Sequence, residues 1–291
     1  MANLHVRRFP ARRRDVKRKV KDLLKRHLLR HLPPTPPIPR IQLGLVSCLM
    51  ITRGNIDMVK QSLASFNDQT WPERELVIVT VNVTSALQNL IQTYGYGRVT
   101  LVEAHQGLTL GDQRNLSLAH CRGEFVCIWD DDDLYSPERV TTCLEALLRS
   151  GVDAVFLDRL LLWWPAKERL AISLSRLWEN TMLARRTAIP AYVALSQNED
   201  AAMVDWLTYH SSYALIDAPE LYGYRVTGQN QSSTDHFERL FSISDELTEE
   251  RHKLMLQSSC FLYSRPEAFP SEKWESPGID KSPKGDDLDP V

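Results

Sequence analysis

Apolar positions between residues 41 and 158 alternate between two textures. Leu43–Ile51, Glu75–Val83, Val99–Val102, Glu124–Trp129 and Val152–Leu157 are short, nearly continuous apolar runs, the pattern of strands buried on both faces. Between them, Asn55–Phe66 places Ile56, Val59, Leu63 and Phe66 at helical spacing. Ser85–Tyr94, Leu110–His120 and Ser136–Arg149 continue the alternation, the last with Ser136 as N-cap and Pro137 at its first position. Strands alternating with helices predict an α/β fold: a mostly parallel, Rossmann-like sheet flanked by helices.

After Asp158 the regularity fades. Leu160–Trp164 and Leu170–Leu174 read as a hairpin around Pro165, Asn198–Tyr209 as a helix, and Ala214–Asp217 and Glu220–Val226 as short strands. His236–Met255 reads as one final helix. Residues 264–291 hold five Pro and seven acids, the composition of a disordered tail. The resulting division is a basic arm and Pro-rich linker over 1–40, a first half over 41–158, a smaller C-terminal half of the same domain over 159–262, and an acidic tail over 263–291.

Charge separates the arm from the body. The whole chain of 291 residues carries a net −2, but residues 1–40 hold 13 Lys/Arg against Asp15 and Asp22. Val16, Val20, Leu23, Leu24 and Leu28 fall near helical spacing among those bases. Residues 1–32 therefore suit either a basic amphipathic helix on an anionic membrane surface or a solvated arm. Five Pro between Pro33 and Pro39 make a stiff linker. The N-terminus has no apolar core of a secretory signal, and no run is long enough to span a bilayer. Five Cys without CxxC spacing argue against a zinc ribbon or disulfide framework and for a reducing compartment, giving a cytoplasmic expectation, peripheral at the inner face of the membrane if the arm binds it.

The chemistry should sit at the carboxyl ends of the parallel strands. Glu124–Trp129 runs directly into Asp130-Asp131-Asp132-Asp133. Four consecutive carboxylates after a buried strand repel one another, and a divalent cation bridged to phosphate relieves that repulsion. Oxygen donors of this kind suit Mg²⁺ or Mn²⁺. The bland alternative is a solvated acidic loop, against which stand the preceding strand and the following Ser136-Pro137 helix start.

Residues 43–140 resemble the nucleotide-binding half of a family 2 glycosyltransferase with the GT-A fold. The resemblance is carried in order by Ser47–Asn55, a strand ending in a Thr-containing turn, and by Gln69-Thr70-Trp71-Pro72 before the second strand. Arg114-Asn115, Gly123-Glu124, the Asp-x-Asp-like Asp130–Asp133 and Ser136-Pro137-Glu138-Arg139 follow. It continues more weakly through Asn180–Arg186, similar to the family's acceptor-side strand, and Asn198-Glu199-Asp200, similar to the pair that opens the acceptor-site helix. Tyr222–Ser232 looks like the strand and loop closing the donor site, with His236 after it.

The resemblance implies an inverting glycosyltransferase of hexosyl type. It would move a sugar from a nucleotide-diphosphate donor, UDP-sugar first, to a hydroxyl of a glycan or lipid-linked acceptor, in polysaccharide or glycolipid synthesis. It implies Thr52, Arg53, Thr80, Asn82, Arg114, Asp130 and Asp131 for the donor, and Asp132, Asp130 and His236 for Mn²⁺ or Mg²⁺. Asp200 would be the base on the acceptor hydroxyl, with Glu199 second. The second strand lacks the family's usual terminal Asp for the donor base; Thr80-Val81-Asn82 stands there instead and leaves the base open. Three rival readings are a catalytically silent GT-A binding or assembly protein, a nucleotidyltransferase, and a nucleic-acid binder. A missing Gly-rich phosphate loop disfavours the second, and an acidic body without a nucleic-acid motif the third.

Overall fold

Ten residues from Gln42 to Ile51 form the central strand β2, and its inner positions are buried on both faces. The computed structural model describes residues 5–10, 42–230 and 232–249. After β1 (His5–Phe9) and β2 come α1 (Ile56–Asn67), β3 (Arg74–Thr80), α2 (Ser85–Tyr94), β4 (Val99–Glu103), α3 (Leu110–His120) and β5 (Gly123–Ile128). Then follow β6 (Leu134–Tyr135), α4 (Arg139–Ser150), β7 (Ala154–Leu157), β8 (Leu161–Trp164), β9 (Arg169–Ile172) and β10 (Leu183–Arg185). The described chain closes with α5 (Glu199–His210), β11 (Tyr213–Asp217), β12 (Tyr222–Arg225), α6 (Thr234–Ser242) and β13 (Asp245–Glu246).

The main sheet has eight strands in the order β1-β11-β7-β10-β5-β2-β3-β4. β5, β2, β3 and β4 are parallel neighbours, as are β7 and β11. β10 runs antiparallel between β5 and β7, so the C-terminal half completes the sheet begun by the first. A second sheet, β13-β9-β8-β12-β6, carries the hairpin expected around Pro165. Alternate residues of the parallel strands feed two cores. Cys48, Met50 and Cys127 face one, and Leu49, Val126 and Ile128 the other. Cys48, Cys121, Cys127 and Cys143 are buried and unpaired. No helix among the described residues is long and apolar enough to cross a membrane.

Three sequence expectations are corrected. The helix placed at Ser136 starts at Arg139, because Leu134–Tyr135 pairs with β12 and the Ser136 N–H donates to Leu221 O at 3.1 Å. The final helix does not run unbroken from His236: it ends at Ser242, and Asp245–Glu246 turns to pair with β9. Arg169 fixes that turn with a two-pronged bond to Glu246 at 2.7 and 3.0 Å. Residues 250–255 of that helix, the tail over 263–291 and Cys260 lie outside the described residues.

The third correction concerns the arm. His5–Phe9 forms β1, antiparallel to β11, with Val6 packed on the core and Phe9 stacked on Tyr213 at 4.9 Å between ring centres. Val6 and Phe9, three residues apart, pack on opposite faces, one against each core, and the bases beside them on this edge strand discourage further pairing. The helix considered for the rest of 1–32, and the Pro linker, lie outside the described residues.

Candidate active site

Thr52 stands at the end of β2, and its hydroxyl donates to Asp131 Oδ2 at 2.5 Å while accepting the Gly54 N–H at 2.9 Å. Gly54 needs the left-handed backbone (φ 86°) that lets the chain turn away here into α1. On the next strand, the acidic run leaves β5 on a fixed path. Asp130 O accepts from Tyr135 Oη at 2.7 Å and Ser62 Oγ at 3.3 Å, and the Trp129 indole donates to Ser62 Oγ at 2.9 Å. Beneath the run, the fully buried Arg139 donates to Ile128 O at 2.8 Å among the rings of Trp129, Tyr135 and Tyr222.

The family-like segments have identifiable mechanical roles. α4 begins with no side-chain cap of its own, and Gln69 supplies one from outside: its Oε1 accepts the Val140 N–H at 3.0 Å and its Nε2 donates to Ser136 O at 2.8 Å. Thr70 N–H adds a bond to Pro137 O at 2.9 Å. Asn115 exchanges bonds with the Tyr192 backbone at 2.8 and 2.7 Å, laying the loop after β10 along α3. The Gly111 N–H reaches Leu195 O at 2.9 Å, and a Cβ there would sit 1.8 Å from Val193 O, so only glycine allows this approach. The loop then delivers Asn198, in the left-handed conformation that Asn tolerates, and the first turn of α5.

These segments surround a cleft of about 970 Å³. Thr52, Arg53, Arg114, Asp130, Asp131, Asp132, Glu199, Asp200 and His236 all line it. Arg114 is 7% exposed and joins the two acidic segments, donating to Asp130 Oδ1 at 3.1 Å and to Glu199 Oε1 at 3.5 Å. Burial disfavours its cation, but Asp130, Tyr192 and Glu199 outweigh that and hold its pKa above the ordinary range. Glu199 is 3% exposed, and burial raises its pKa despite Arg114. Asp200 is half-buried and accepts a local bond from the Ala201 N–H at 2.7 Å. Thr80 and Asn82 do not line the cleft: Thr80 is fully buried with its hydroxyl accepting the Asn82 N–H at 3.3 Å, and Val81 is the lining residue between them.

The four acids have different surroundings. Asp133 is 2% exposed and takes the Tyr222 hydroxyl and the Arg225 N–H, the latter at 3.0 Å; burial and Asp132 push its pKa well up. Asp132 Oδ2 accepts Asn230 Nδ2 at 2.9 Å, while Arg225 Nε grips the Asp132 carbonyl at 2.7 Å. Burial, then Asp130 and Asp131, push the Asp132 pKa up to about 7. Asp131 is raised by burial, against the Thr52 bond. Arg225, Asn230 and Tyr222 were not singled out in the sequence beyond their segment; a lone Arg in a short strand carries no spacing signal, and only the Thr227–Asn230 turn residues hint at a fixed loop. Trp178 and Glu179, which line the opposite wall, were likewise missed as site residues.

The donor set fits a divalent cation in part. The oxygens are hard ligands, and burial, then the neighbouring carboxylates, raises the Asp132 pKa although Arg225 lies nearby; burial likewise raises that of Asp131. Among the described residues, however, no three His, Cys, Asp or Glu side chains converge as a complete metal cage. The fit is to a cation whose shell is completed by a substrate. His236, half-buried on the first turn of α6, has its pKa lowered by burial and by Arg176 and Arg239. This keeps the imidazole neutral but surrounds it with positive charge.

Residues 47–161 match the family model described as glycosyl transferase family 2. The resemblance read from Ser47 to Arg139 is thereby shown over that stretch. None of the curated proteins matches the chain. Among solved structures, S. aureus TarS is similar at 19% identity and a TM-score of 0.52, over 73% of this chain and 42% of that one. Its 1–349 fragment gives 19% identity and a TM-score of 0.52 over 75% of this chain and 70% of that one. The same fragment in complex with UDP gives 18% and 0.51, over 73% and 69%. The chain thus spans less than half of the longer TarS chain. These likenesses show the fold, the GT-A architecture expected from the sequence.

Proposed function

We propose that the protein is a metal-dependent inverting glycosyltransferase that moves a hexose from a UDP-sugar to a hydroxyl of a glycan or lipid-linked acceptor. The observation that carries this reading is the pairing, across one cleft, of the Asp130–Asp132 run with Glu199–Asp200 through Arg114. The bound UDP of the similar TarS fragment supports uracil as the base. Asp132, with Asp130 and His236 as further donors, would hold Mn²⁺ or Mg²⁺, which neutralises charge on a departing diphosphate when bound. Thr52, Arg53 and Asp131 bind the donor from the β2 side, and Val81 replaces Thr80 and Asn82 as the contact offered by the second strand.

Of the two acids at the start of α5, Asp200 suits the base. Glu199 is buried and committed to Arg114, whereas Asp200 faces the cleft half-exposed, able to take a proton from an acceptor hydroxyl. The basic residues between 11 and 32 would hold the enzyme against an anionic inner membrane face, where a lipid-linked acceptor is presented. The direct test is to incubate the protein with UDP-sugars and Mn²⁺ and follow UDP release. Metal-dependent release that rises with a glycan acceptor supports the reading; no release with any donor overturns it.

A further inference from the structure

The N-terminal strand is bonded to a wall of the cleft. β1 lies against β11 in register from His5↔Asp217 to Phe9↔Tyr213. Its central residue, Arg7, ion-pairs with the nearly buried Asp158 and donates from Nη2 to Ser175 Oγ at 3.1 Å. Ser175 Oγ in turn donates to Asp158 Oδ1 at 2.8 Å, and the Asp158 carbonyl accepts the Arg176 N–H at 2.9 Å. One guanidinium therefore closes a ring of bonds through the end of β7 and the loop after β9.

That loop forms the wall facing α6. Arg176, Trp178, Glu179 and Asn180 all line the cleft. The Arg176 guanidinium lies 3.8 Å from the centre of the Trp178 ring and 3.4 Å from Glu179. Asn180 donates to the Tyr222 hydroxyl at 3.0 Å, the same hydroxyl that serves Asp133. The loop backbone is bonded at Ser173 to Leu160 O and at Arg176 to Asp158 O, both at 2.9 Å, and Trp178 and Thr181 are buried; the exposed stretch between these points is held by side chains that local opening would release. One such side-chain tie, at Ser175 and Asp158, is made by a residue near the chain start, separated from β2 by the basic segment.

We propose that Arg7 is a positioning residue: through Asp158 and Ser175 it sets the loop that presents Arg176, Trp178, Glu179 and Asn180 to the ligand. The meaning of that wall for catalysis rests on the function proposed above; the mechanical link does not. A strand that merely seals the sheet edge would act through its backbone and through Phe9, whereas the Arg7 side chain reaches past β11 to the loop.

Hydrogen–deuterium exchange on the full-length chain tests this, comparing wild type with Arg7→Ala, Arg7→Lys, Ser175→Ala and, as a control on the same strand, Arg8→Ala. Among the described residues Arg8 donates to the Arg149 carbonyl, at 3.3 Å, and not to the loop. The expected result is exchange faster by about tenfold or more in peptides spanning 173–181 for Arg7→Ala and Ser175→Ala. Arg7→Lys, which retains the cation, should restore much of the protection, and Arg8→Ala should leave the loop as in wild type. Peptides from β2 and β5 should be unchanged in all. Unchanged loop exchange in Arg7→Ala and Ser175→Ala would overturn the proposal, as would equal effects of Arg7→Ala and Arg8→Ala. Titration of UDP with Mn²⁺ on the same proteins separates the two readings. Failure of wild type to bind UDP would count against the glycosyltransferase and leave the exchange result standing.

Discussion

Asp130, just past β5, and Glu199, at the start of α5, are held to one another by the buried guanidinium of Arg114, at 3.1 and 3.5 Å. The same α3 that carries Arg114 also carries Asn115 and Gly111, which lay the loop before α5 along the helix. The carboxylates at the exit of β5 and at the start of α5 are thus fixed relative to each other by one helix. This separates the two acids of the α5 pair by role. Glu199→Gln removes a charge from a buried pair and should lower stability by about 1–3 kcal/mol, seen as an earlier denaturant midpoint. Asp200→Asn should leave the midpoint in place and lower turnover by about 10²-fold or more, with UDP affinity kept. Parallel loss of turnover and UDP affinity in Asp200→Asn would make it a binding residue.

The raised Asp132 pKa of about 7 gives a pH dependence of definite sign. Its carboxyl is protonated in the folded protein over a range where the unfolded chain, with a pKa of about 3.9, has lost that proton. The folded state binds more protons in that window, so this group's contribution to stability falls as pH rises from about 4 to about 7 and then levels off. Melting temperatures of the metal-free protein across that window should carry this downward contribution, and Asp132→Asn should remove it. A steeper decline in the variant would contradict the assignment. Mn²⁺ with UDP, competing with the proton, should bind more tightly as pH rises through the same range.

Tyr222→Phe tests the anchor of the second sheet. It deletes a hydroxyl that serves the buried Asp133 carboxyl and receives Asn180 Nδ2 at 3.0 Å. A loss of about 1–3 kcal/mol is expected, because the Asp133 acceptor stays buried. Chemical denaturation measures it, and a change under a few tenths of that range would show that Arg225 suffices.

Gly111→Ala places a methyl carbon where 1.8 Å separates it from the Val193 carbonyl, which is backbone and cannot swing aside. A destabilisation of about 1–3 kcal/mol is expected, with the loop before α5 displaced. Exchange of amides over 191–200 should rise along with it. Wild-type stability would mean that the loop finds another seat without cost.

The basic arm requires a test that spares β1, since deletion of residues 1–40 would remove a strand of the sheet along with the charge. Replacing Lys17, Arg18, Lys19, Lys21, Lys25 and Arg26 with Gln keeps His5–Phe9 intact. Co-sedimentation with anionic vesicles should drop in the variant and fall with salt in the wild type, as screening over about 8 Å dictates. Equal pelleting of both proteins would place any membrane contact elsewhere.

Most of the first half was legible because its signals are local. Apolar runs such as Leu45–Met50 can be satisfied only between two layers, and the helical spacing of Val59, Leu63 and Phe66 between them gives one buried face. The acidic run stood out because four carboxylates directly follow a buried strand; the structure places Asp130, Asp131 and Asp132 on the cleft and also uses Asp133 as a buried anchor for Tyr222 and Arg225. Features that depended on distant partners were not legible. Ser136 looked like a helix cap, but Leu221, in the turn before β12, takes its N–H; Ile243 looked helical, but β9 takes the residues after it. Val6 and Phe9, among bases, gave too short a pattern to show a strand whose partner lies some 200 residues on. Arg225 and Asn230, which hold Asp132, are single polar residues whose role appears only when the second sheet brings them against β5's exit.

The decisive measurement is calorimetric titration of UDP into the wild-type protein and into Asp132→Ala, each with and without Mn²⁺. UDP should bind the wild type with Mn²⁺, bind weakly or not at all without it, and lose the metal-dependent affinity in Asp132→Ala while circular dichroism shows the fold retained. Equal UDP affinity in both proteins, or wild-type binding indifferent to Mn²⁺, would contradict a metal-assisted donor site at the carboxyl end of β5.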